Sequence, residues 1–163
     1  MAIVRAPETT SPPAKSRDPH LEVYVVFTTP ERTKAALQVA NRLARGLGAR
    51  LTLLVAQIVS YPLPLDRPPV HADFTERTLS QLASGQDVDT SVKVYLCRDR
   101  DVTLRQELAA DSLVLIGTRT RWLRDAGRKL AGLLRRDGHQ VILVETNRLH
   151  VIGPAMVRMQ SSR

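Results

Sequence analysis

Near its C-terminal end the chain contains the run Ala110-Asp111-Ser112-Leu113-Val114-Leu115-Ile116-Gly117-Thr118. An apolar segment of this kind is typical of a β-strand that is covered on both faces of its sheet. A basic, helix-forming segment follows, and after it comes a second apolar run, Val141 to Val144. Strand, helix and strand in this order indicate a parallel α/β unit. Because ligands bind at the carboxyl ends of the strands in such sheets, the sequence predicts any small-molecule site just after Gly117.

The same alternation of strands and helices extends back to residue 21. Strands are predicted over residues 21–28, 51–56, 88–97, 113–116 and 141–144. Helices are predicted from Pro30 to near Gly48 and over residues 71–83, 101–108 and 121–136. Alternating strands and helices form parallel sheets with right-handed crossovers, which place helices on both faces. The sequence therefore predicts an α/β fold, a three-layer α/β/α sandwich around a five-stranded parallel sheet.

Local patterns add detail to these elements. Thr29-Pro30-Glu31 has the hydroxyl cap, the first-turn proline and the acidic residue of a helix start. The apolar face of this helix is predicted to consist of Ala36, Val39, Ala40, Leu43 and Leu47. In the strand over 88–97, Ser91, Lys93 and Tyr95 alternate with apolar residues, which predicts an edge strand with these three directed outward. Asp101 is predicted to cap the short helix that follows.

The length and composition indicate one domain with two tails. The chain has 163 residues, and residues 1–20 are rich in proline, which we interpret as a disordered arm. The domain is expected over residues 21–147, and a C-terminal tail over residues 148–163. A single cysteine, Cys97, excludes an internal disulfide, and there is neither a signal-peptide pattern nor the run of about 20 apolar residues that a membrane span needs. We therefore expect a cytoplasmic protein without a membrane partner.

The net charge of +8 raises the question of a nucleic-acid partner. Between Arg119 and Asp137 there are seven basic and two acidic residues, so this segment alone carries +5 of the total. Clustered positive charge attracts anions more effectively than scattered charge. We rank nucleic acid low as a partner, because no aromatic platform interleaves the arginines for base stacking.

Three segments, in order along the chain, carry a resemblance. They are the helix-to-strand passage Leu43–Val55, the strand with its glycine Ala110–Gly117, and the last helix and strand Gly127–Val144. Together they resemble the universal stress protein family, and the similarity covers roughly residues 21–146. The resemblance implies a Rossmann-like sheet of order 3-2-1-4-5, similar to adenine nucleotide alpha hydrolases.

The chain departs from the ATP-binding members of that family. Those members carry an acidic residue after the first strand, a loop with two glycines, and a later glycine followed by serine or threonine. Bare glycine backbone lets amides approach phosphate oxygens. Here Thr28 stands where the acidic residue would be, Thr120 replaces the second loop glycine, and Arg128 replaces the hydroxyl residue after Gly127. We therefore expect that ATP does not bind in the family's usual manner.

An anionic ligand stays open as an alternative. The candidate binding residues, taken from the resemblance and the arginines, are Thr28, Val55, Gly117, Arg119, Thr120, Arg121, Gly127 and Arg128. Guanidinium groups bind anions through paired N–H donors and do not need a glycine loop. ATP, ADP, a signalling nucleotide or another anionic small molecule is therefore an alternative ligand. With ATP, this alternative implies at most weak ATPase activity. Two roles stay open for Trp122, which are covering an adenine ring and packing in the core. No catalytic set or metal-ligand spacing appears, so we expect a non-enzymatic stress-response or regulatory module.

The last strand indicates a protein partner. In the family's strand order it lies at a sheet edge, yet it carries neither charge nor proline in its apolar run Val141, Ile142, Leu143 and Val144. An open edge of this kind tends to pair with another chain. Universal stress proteins often dimerise in this way, so we expect a homodimer through this strand. Coverage of the edge by the C-terminal tail is the alternative.

Overall fold

The computed structural model describes residues 4–5, 21–119 and 125–146 of the chain. In chain order the elements are β1 Val4–Arg5, β2 Glu22–Val26, α1 Pro30–Leu47, β3 Arg50–Ile58, α2 Ala72–Ala83, β4 Thr90–Cys97, α3 Arg100–Glu107, β5 Leu113–Arg119, α4 Ala126–Arg136 and β6 Gln140–Thr146. These strands form one sheet of order β1-β4-β3-β2-β5-β6. Strands β2 to β6 are parallel, and their order is third, second, first, fourth and fifth by position in the chain. The predicted α/β fold and its strand order are confirmed.

The sequence does not predict β1. Val4 lies opposite Leu96 and Arg5 lies opposite Tyr95, so this short strand runs antiparallel to β4. Both residues belong to the segment 1–20, which was expected to be a disordered arm. The other residues of that segment, and those of the expected tail over 148–163, lie outside the described residues. The outer side of β4 therefore carries a two-residue partner strand.

Helix α1 begins and ends where its local signals predict. The Thr29 side chain accepts a hydrogen bond from the Arg32 amide, and Pro30 is the first helical residue. Gly48 ends the helix in the left-handed conformation, with φ 61°, which glycine adopts without strain. The buried residues of the helix are Thr33, Ala36, Leu37, Ala40 and Ala44. The predicted apolar face is wrong at Leu47, which is 51% exposed because the chain leaves the helix there.

Two apolar cores lie on opposite faces of the sheet and give the fold its three layers. One core joins the sheet to α1 and α2 and includes Leu37 and Leu53. The other joins the sheet to α3 and α4 and includes Leu54 and Leu130. Neighbouring residues of a strand point to opposite faces, so Leu53 and Leu54 enter different cores. Burying each large apolar side chain contributes about 1.5–3 kcal/mol.

Two expectations for β4 and α3 are wrong. Tyr95 was expected to face outward, but it is 3% exposed and packs in the core beneath α3 and α4, because a helical layer covers that face too. Ser91, at the other end of the strand, is exposed as expected. The cap of α3 is Asp99, whose carboxylate accepts a hydrogen bond from the Val102 amide at 3.0 Å. Asp101, the predicted cap, lies in the first turn of the helix.

Candidate functional site

The predicted site lies where the strand order reverses. Strand β2 is placed between β3 and β5. Helix α1, which follows β2, packs on one face of the sheet, and α4, which follows β5, packs on the other. Ligands bind in the crevice between such helices in open α/β sheets. The structure brings together at this end Thr28, Gly117, Arg119, Gly127 and Arg128. Thr120 and Arg121, together with Trp122, lie outside the described residues.

Gly117 lies directly beneath the first turn of α1. A Cβ atom added at Gly117 would be 2.6 Å from the carbonyl carbon of Arg32 and 2.8 Å from its Cβ, and still closer to its carbonyl oxygen. Only glycine fits at this distance from a neighbouring backbone. Val55, another candidate residue, is buried in the core beneath α1 and α2. Helix α1 therefore already occupies the space next to Gly117, and Val55 belongs to the buried core.

Thr28 links β2 to β5 at the same point. Its hydroxyl donates a hydrogen bond to the carbonyl oxygen of Gly117 at 3.2 Å. Its backbone amide donates to the hydroxyl oxygen of Thr33, in α1, at 3.1 Å. This side-chain hydrogen bond therefore connects the ends of β2 and β5, at the point where α1 and α4 leave the sheet on opposite faces.

Asp125 joins three elements at this site. It is the N-cap of α4, and its Oδ1 accepts a hydrogen bond from the Gly127 amide at 3.1 Å. Its Oδ2 accepts from the Arg119 amide at 2.9 Å. Nη1 of Arg32 lies 3.4 Å from Oδ1 and 3.3 Å from Oδ2. The side chains of Arg32 and Asp125 are 18% and 10% exposed. One carboxylate therefore ties together the end of β5, the start of α4 and the first turn of α1.

The surroundings of Asp125 keep it ionised. Burial by itself raises the pKa of its carboxyl group. The hydrogen bonds from the amides of Arg119 and Gly127, and then the charges of Arg32 and Arg128, lower the pKa below its ordinary value despite that burial. Negative charge is stabilised at a helix N-terminus, where anionic ligands also bind. The Asp125 carboxylate therefore holds a position that suits a ligand anion.

Gly127 and Arg128 lie in the first turn of α4. A Cβ atom added at Gly127 would be 3.1 Å from the Ile116 side chain and 3.2 Å from the Thr118 side chain, so this glycine lets α4 pack close to β5. Nη2 of Arg128 donates to Oε1 of Glu145 at 2.6 Å, so its charge is paired within the chain. Among the described residues, Nε of Arg128 and Oγ1 of Thr118 are buried without a hydrogen-bond partner.

Other parts of the basic segment also make internal contacts. Nζ of Lys129 lies 3.8 Å from a carboxylate oxygen of Asp101. Nη2 of Arg135 donates to the carbonyl oxygen of Val141 at 2.8 Å. The side chain of Arg119 is exposed, while its backbone amide is bonded to the α4 cap. The positive charge of this segment is therefore partly used to hold α4 in place.

Strand β6 forms an open edge, since it pairs only with β5 among the described residues. The Gln140 amide donates to the carbonyl oxygen of Ser112 in the segment leading into β5. In a parallel strand, the N–H and C=O groups of one residue point to one side and those of the next residue point to the other. Because the groups of Gln140 point toward β5, those of Val141 and of every second residue after it point away from the sheet. Ile142 is 36% exposed. Among residues 21–119 and 125–146, the outward backbone groups of β6 have one partner, since Arg135 donates to the Val141 carbonyl oxygen.

Sequence reasoning missed Arg32 and Asp125. A signal for Asp125 was present, because an aspartate directly before a helix is a common N-cap. The predicted helix began at residue 121, whereas α4 begins at Ala126, after its cap. Arg32 gave no local signal, since 93 positions separate it from Asp125 in the chain.

Three observations on the described part of the chain bear on other kinds of site. No group of three His, Cys, Asp or Glu side chains there could hold a metal ion. None of its helices combines the length and the apolar character needed to cross a membrane. Cys97 is buried, and this burial raises the pKa of its thiol, which disfavours the reactive thiolate.

The parallel sheet, the helices on both faces and the reversal of strand order define a doubly wound α/β fold. Within that class the chain has the fold of the universal stress proteins. It is similar to the universal stress protein from Archaeoglobus fulgidus, with a TM-score of 0.56 and 13% identity over 77% of this chain and 93% of that chain. It is also similar to a universal stress family protein from Burkholderia pseudomallei, with a TM-score of 0.52 and 18% identity over 77% of this chain and 96% of that chain. No protein-family model and no curated protein matches the sequence.

Proposed function

We propose that this chain is a universal-stress-like regulatory module that serves a stress response without enzymatic activity. We propose further that it does not bind ATP in that family's usual manner. The fold supports the first part, because the match extends over 93% and 96% of two similar solved chains. The observation that carries the second part is the Asp125 carboxylate, which accepts hydrogen bonds from the amides of Arg119 and Gly127. Such amides are the groups that cradle phosphates, and here a side chain already uses them.

The two glycines support the same conclusion. Gly117 lies against the backbone of Arg32, and Gly127 lies against the side chains of Ile116 and Thr118. Packing alone accounts for both glycines, so they are not evidence of contact with a nucleotide. A triphosphate entering the crevice would also meet the negative charge of Asp125, which repels it at short distance.

Thermal unfolding with ATP, ADP and cyclic dinucleotides, each with and without Mg²⁺, tests this proposal. A ligand at a hundred times its Kd stabilises a protein by ~2.7 kcal/mol, so a true ligand shifts the transition clearly. We expect no shift with ATP and no release of phosphate from it. Mg²⁺-dependent stabilisation by ATP that survives replacement of Arg119 and Arg128 by glutamine would contradict the proposal.

We also propose that the chain is a homodimer through β6. The run Val141 to Val144 has no charged residue, and alternate backbone groups of the strand face outward. Exposed edges without charge or proline pair readily with other strands. A twofold axis through two β6 strands would continue the sheet from one chain into the next.

Light scattering on a size-exclusion column tests the dimer. The expected mass is that of two chains of 18.1 kDa. Ile142→Lys would place two charges near the twofold axis and is expected to shift the protein to monomer. Leu47→Lys is the matched control, because Leu47 is also exposed but lies at the end of α1. A dimer that persists in Ile142→Lys, or is lost equally in the control, argues against this interface.

Binding of an anionic small molecule is the second candidate function. The observation that favours it is the exposed Arg119 side chain at the end of β5, beside the pair formed by Arg32 and Asp125. Guanidinium groups bind phosphates and carboxylates without a glycine loop. Stabilisation by ADP or a cyclic dinucleotide that is lost in Arg119→Gln, but kept in Arg136→Gln, would favour this candidate.

We propose a cytoplasmic location for the chain. Its one cysteine is buried, and a chain without disulfides suits a reducing compartment. Fractionation of cells that express the tagged full chain tests this, with recovery outside the cytoplasmic fraction as the contrary result.

A further inference from the structure

A cavity lies at the amino ends of β5 and β6, opposite the end of the sheet that carries Gly117. Its volume is about 520 Å³, and small-molecule sites usually measure about 300–1,000 Å³. It is lined by Leu108 and Ala110, between α3 and β5, and by Asp137 and His139, between α4 and β6. The rest of its lining comes from α3, so every lining residue belongs to the described part of the chain. The fold therefore leaves space for a small molecule at the amino ends of these strands.

Helix α3 forms one wall of this cavity. Val102, Arg105 and Gln106 lie three and four positions apart, so they share one face of the helix. The buried residues of the helix are Thr103 and Leu104, which lie on another face. The wall therefore offers a ligand both aliphatic surface and polar groups.

Arg105 and Asp137 form a pair beside the cavity. Nε and Nη2 of Arg105 donate to the two carboxylate oxygens of Asp137, the C-cap of α4. These hydrogen bonds lower the pKa of Asp137, so the carboxylate is ionised at neutral pH and the two charges cancel. Nη1 of Arg105 has no partner among residues 21–119 and 125–146. A carboxylate has about four lone-pair sites, so Asp137 also keeps the capacity to accept a further hydrogen bond.

His139 supplies a donor whose position is fixed by the backbone. The residue is 7% exposed, and its Nδ1 accepts a hydrogen bond from the Ser112 amide at 3.3 Å. A ring nitrogen that accepts a hydrogen bond carries no proton, so the ring proton is on Nε2. Nε2 has no partner among the described residues, and it is not one of their fully buried unpartnered atoms, which belong to Thr118 and Arg128. Because the ring is otherwise buried and His139 lines the cavity, Nε2 is available to a ligand there.

The charges around the cavity disfavour a charged ligand of either sign. The cavity lies at the carboxyl ends of α3 and α4, where the helix macrodipole is negative. An anion would meet this potential and the Asp137 carboxylate. A cation would meet the guanidinium of Arg105, and its N–H groups could not accept from Nε2 of His139. The cavity therefore suits a neutral group that accepts at one atom and donates at another.

We propose that this cavity binds an uncharged small molecule that carries a carboxamide group. The carbonyl oxygen of the ligand accepts from Nε2 of His139, and its amide N–H donates to Asp137. The apolar part of the ligand lies against Val102 and Leu108. A carboxamide combines an acceptor and a donor without net charge, which is what these groups require. The inference goes beyond the proposed function, because neither the stress role nor the dimer needs this site.

Benzamide, benzoate and benzamidine test the proposal, because they share one shape and are neutral, negative and positive in turn. Each is titrated into the isotope-labelled full chain, and NMR of the backbone amides locates where it binds. We expect benzamide to shift the signals of Gln106, Ser112 and His139 with a Kd of about 1 mM. Benzoate and benzamidine are expected to bind at least about tenfold more weakly.

Three variants make the test specific to the cavity. In His139→Asn, the side-chain oxygen takes the place of Nδ1 as acceptor for Ser112, while the donor at Nε2 is lost; benzamide binding is expected to weaken at least about tenfold. Val102→Phe fills the cavity without removing a polar group, is expected to weaken binding as much, and serves alone if His139→Asn fails to fold. His71→Asn is the matched control, because His71 is exposed and its side chain makes no cap hydrogen bond to α2; it is expected to bind like the wild type.

The proposal is overturned if benzamide at about twenty times the expected Kd shifts none of the three signals. It is also overturned if benzoate or benzamidine binds as tightly as benzamide, which would contradict selection for an uncharged group. Unchanged benzamide binding in the folded cavity variants would place the ligand elsewhere and would equally overturn it.

Discussion

Replacing Gly117 with alanine is expected to destabilise the chain by about 3 kcal/mol. The new methyl group would lie 2.6 Å from the carbonyl carbon of Arg32 and 2.8 Å from its Cβ. Carbon atoms in contact are about 3.5–4.0 Å apart, so the first turn of α1 must move away by roughly 1 Å. Overpacking usually costs about 1–3 kcal/mol, and the upper end applies here because backbone atoms cannot rotate out of the way.

Urea unfolding followed by circular dichroism measures this effect, with two other glycines as controls. Gly132→Ala, in α4, would place its methyl group within 4 Å of no described atom outside its own helix and is expected to stabilise the chain by up to about 1 kcal/mol. Gly127→Ala is expected to fall between the two, because its contacts at 3.1 and 3.2 Å are with side chains that can adjust. A Gly117→Ala protein within about 0.5 kcal/mol of the wild type would refute the close packing of α1 on β5.

Four further substitutions test polar contacts, with stability measured by the same unfolding assay. Asp125→Asn keeps an N-cap acceptor but removes the negative charge that Arg32, Arg128 and the helix N-terminus stabilise, so it is expected to cost about 1 kcal/mol at neutral pH. Folding lowers the pKa of the Asp125 carboxyl group, so the stability that its ionised form contributes is fully present at pH values above the pKa of the unfolded chain. That stability is lost as the pH falls through the pKa of the folded chain. In urea unfolding from about pH 7 to about pH 2, the free energies of unfolding of the wild type and Asp125→Asn should therefore converge. Thr52→Val removes a hydrogen bond to Glu22, so we expect a loss of about 1–2 kcal/mol and a rise in the pKa of Glu22, measured by NMR titration. Asp99→Ala, which removes the α3 cap, is expected to cost about 1 kcal/mol, and Asp101→Ala should cost less; equal losses would place the cap elsewhere.

The elements of the fold that could be predicted are those set by near neighbours in the chain. The start of α1 depends on Thr29 and Pro30, and its end depends on Gly48. Each of these residues lies within one turn of the helix end that it sets. The burial of Tyr95 could not be predicted, because it depends on a helical layer that comes later in the chain. Strand β1 could not be predicted either, because two residues show no periodicity and their pairing with β4 is a contact between distant parts of the chain.

The place of Gly117 in the fold was predicted, but the residues that surround it were not. Gly117 does lie at the carboxyl end of a central strand, as the fold class requires. A glycine that contacts a phosphate and a glycine that accommodates a helix look the same in sequence, so its contact with Arg32 was not foreseeable. The bond between Arg32 and Asp125 joins opposite ends of the domain's sequence, and only the folded chain brings them together.

The two sides of the described sheet end in strands of different length, two residues in β1 and seven in β6. On the β4 side, the antiparallel strand β1 pairs with Tyr95 and Leu96, and very short edge strands of this kind make poor templates for further pairing. On the β6 side, no described residue pairs with the outer backbone of the strand, apart from Arg135, which donates to the Val141 carbonyl oxygen. In a dimer joined through β6, the β6 edges of the two copies would be paired with each other, so a third copy could not add at either edge. The proposed dimer would therefore stop at two copies and would not extend into a filament.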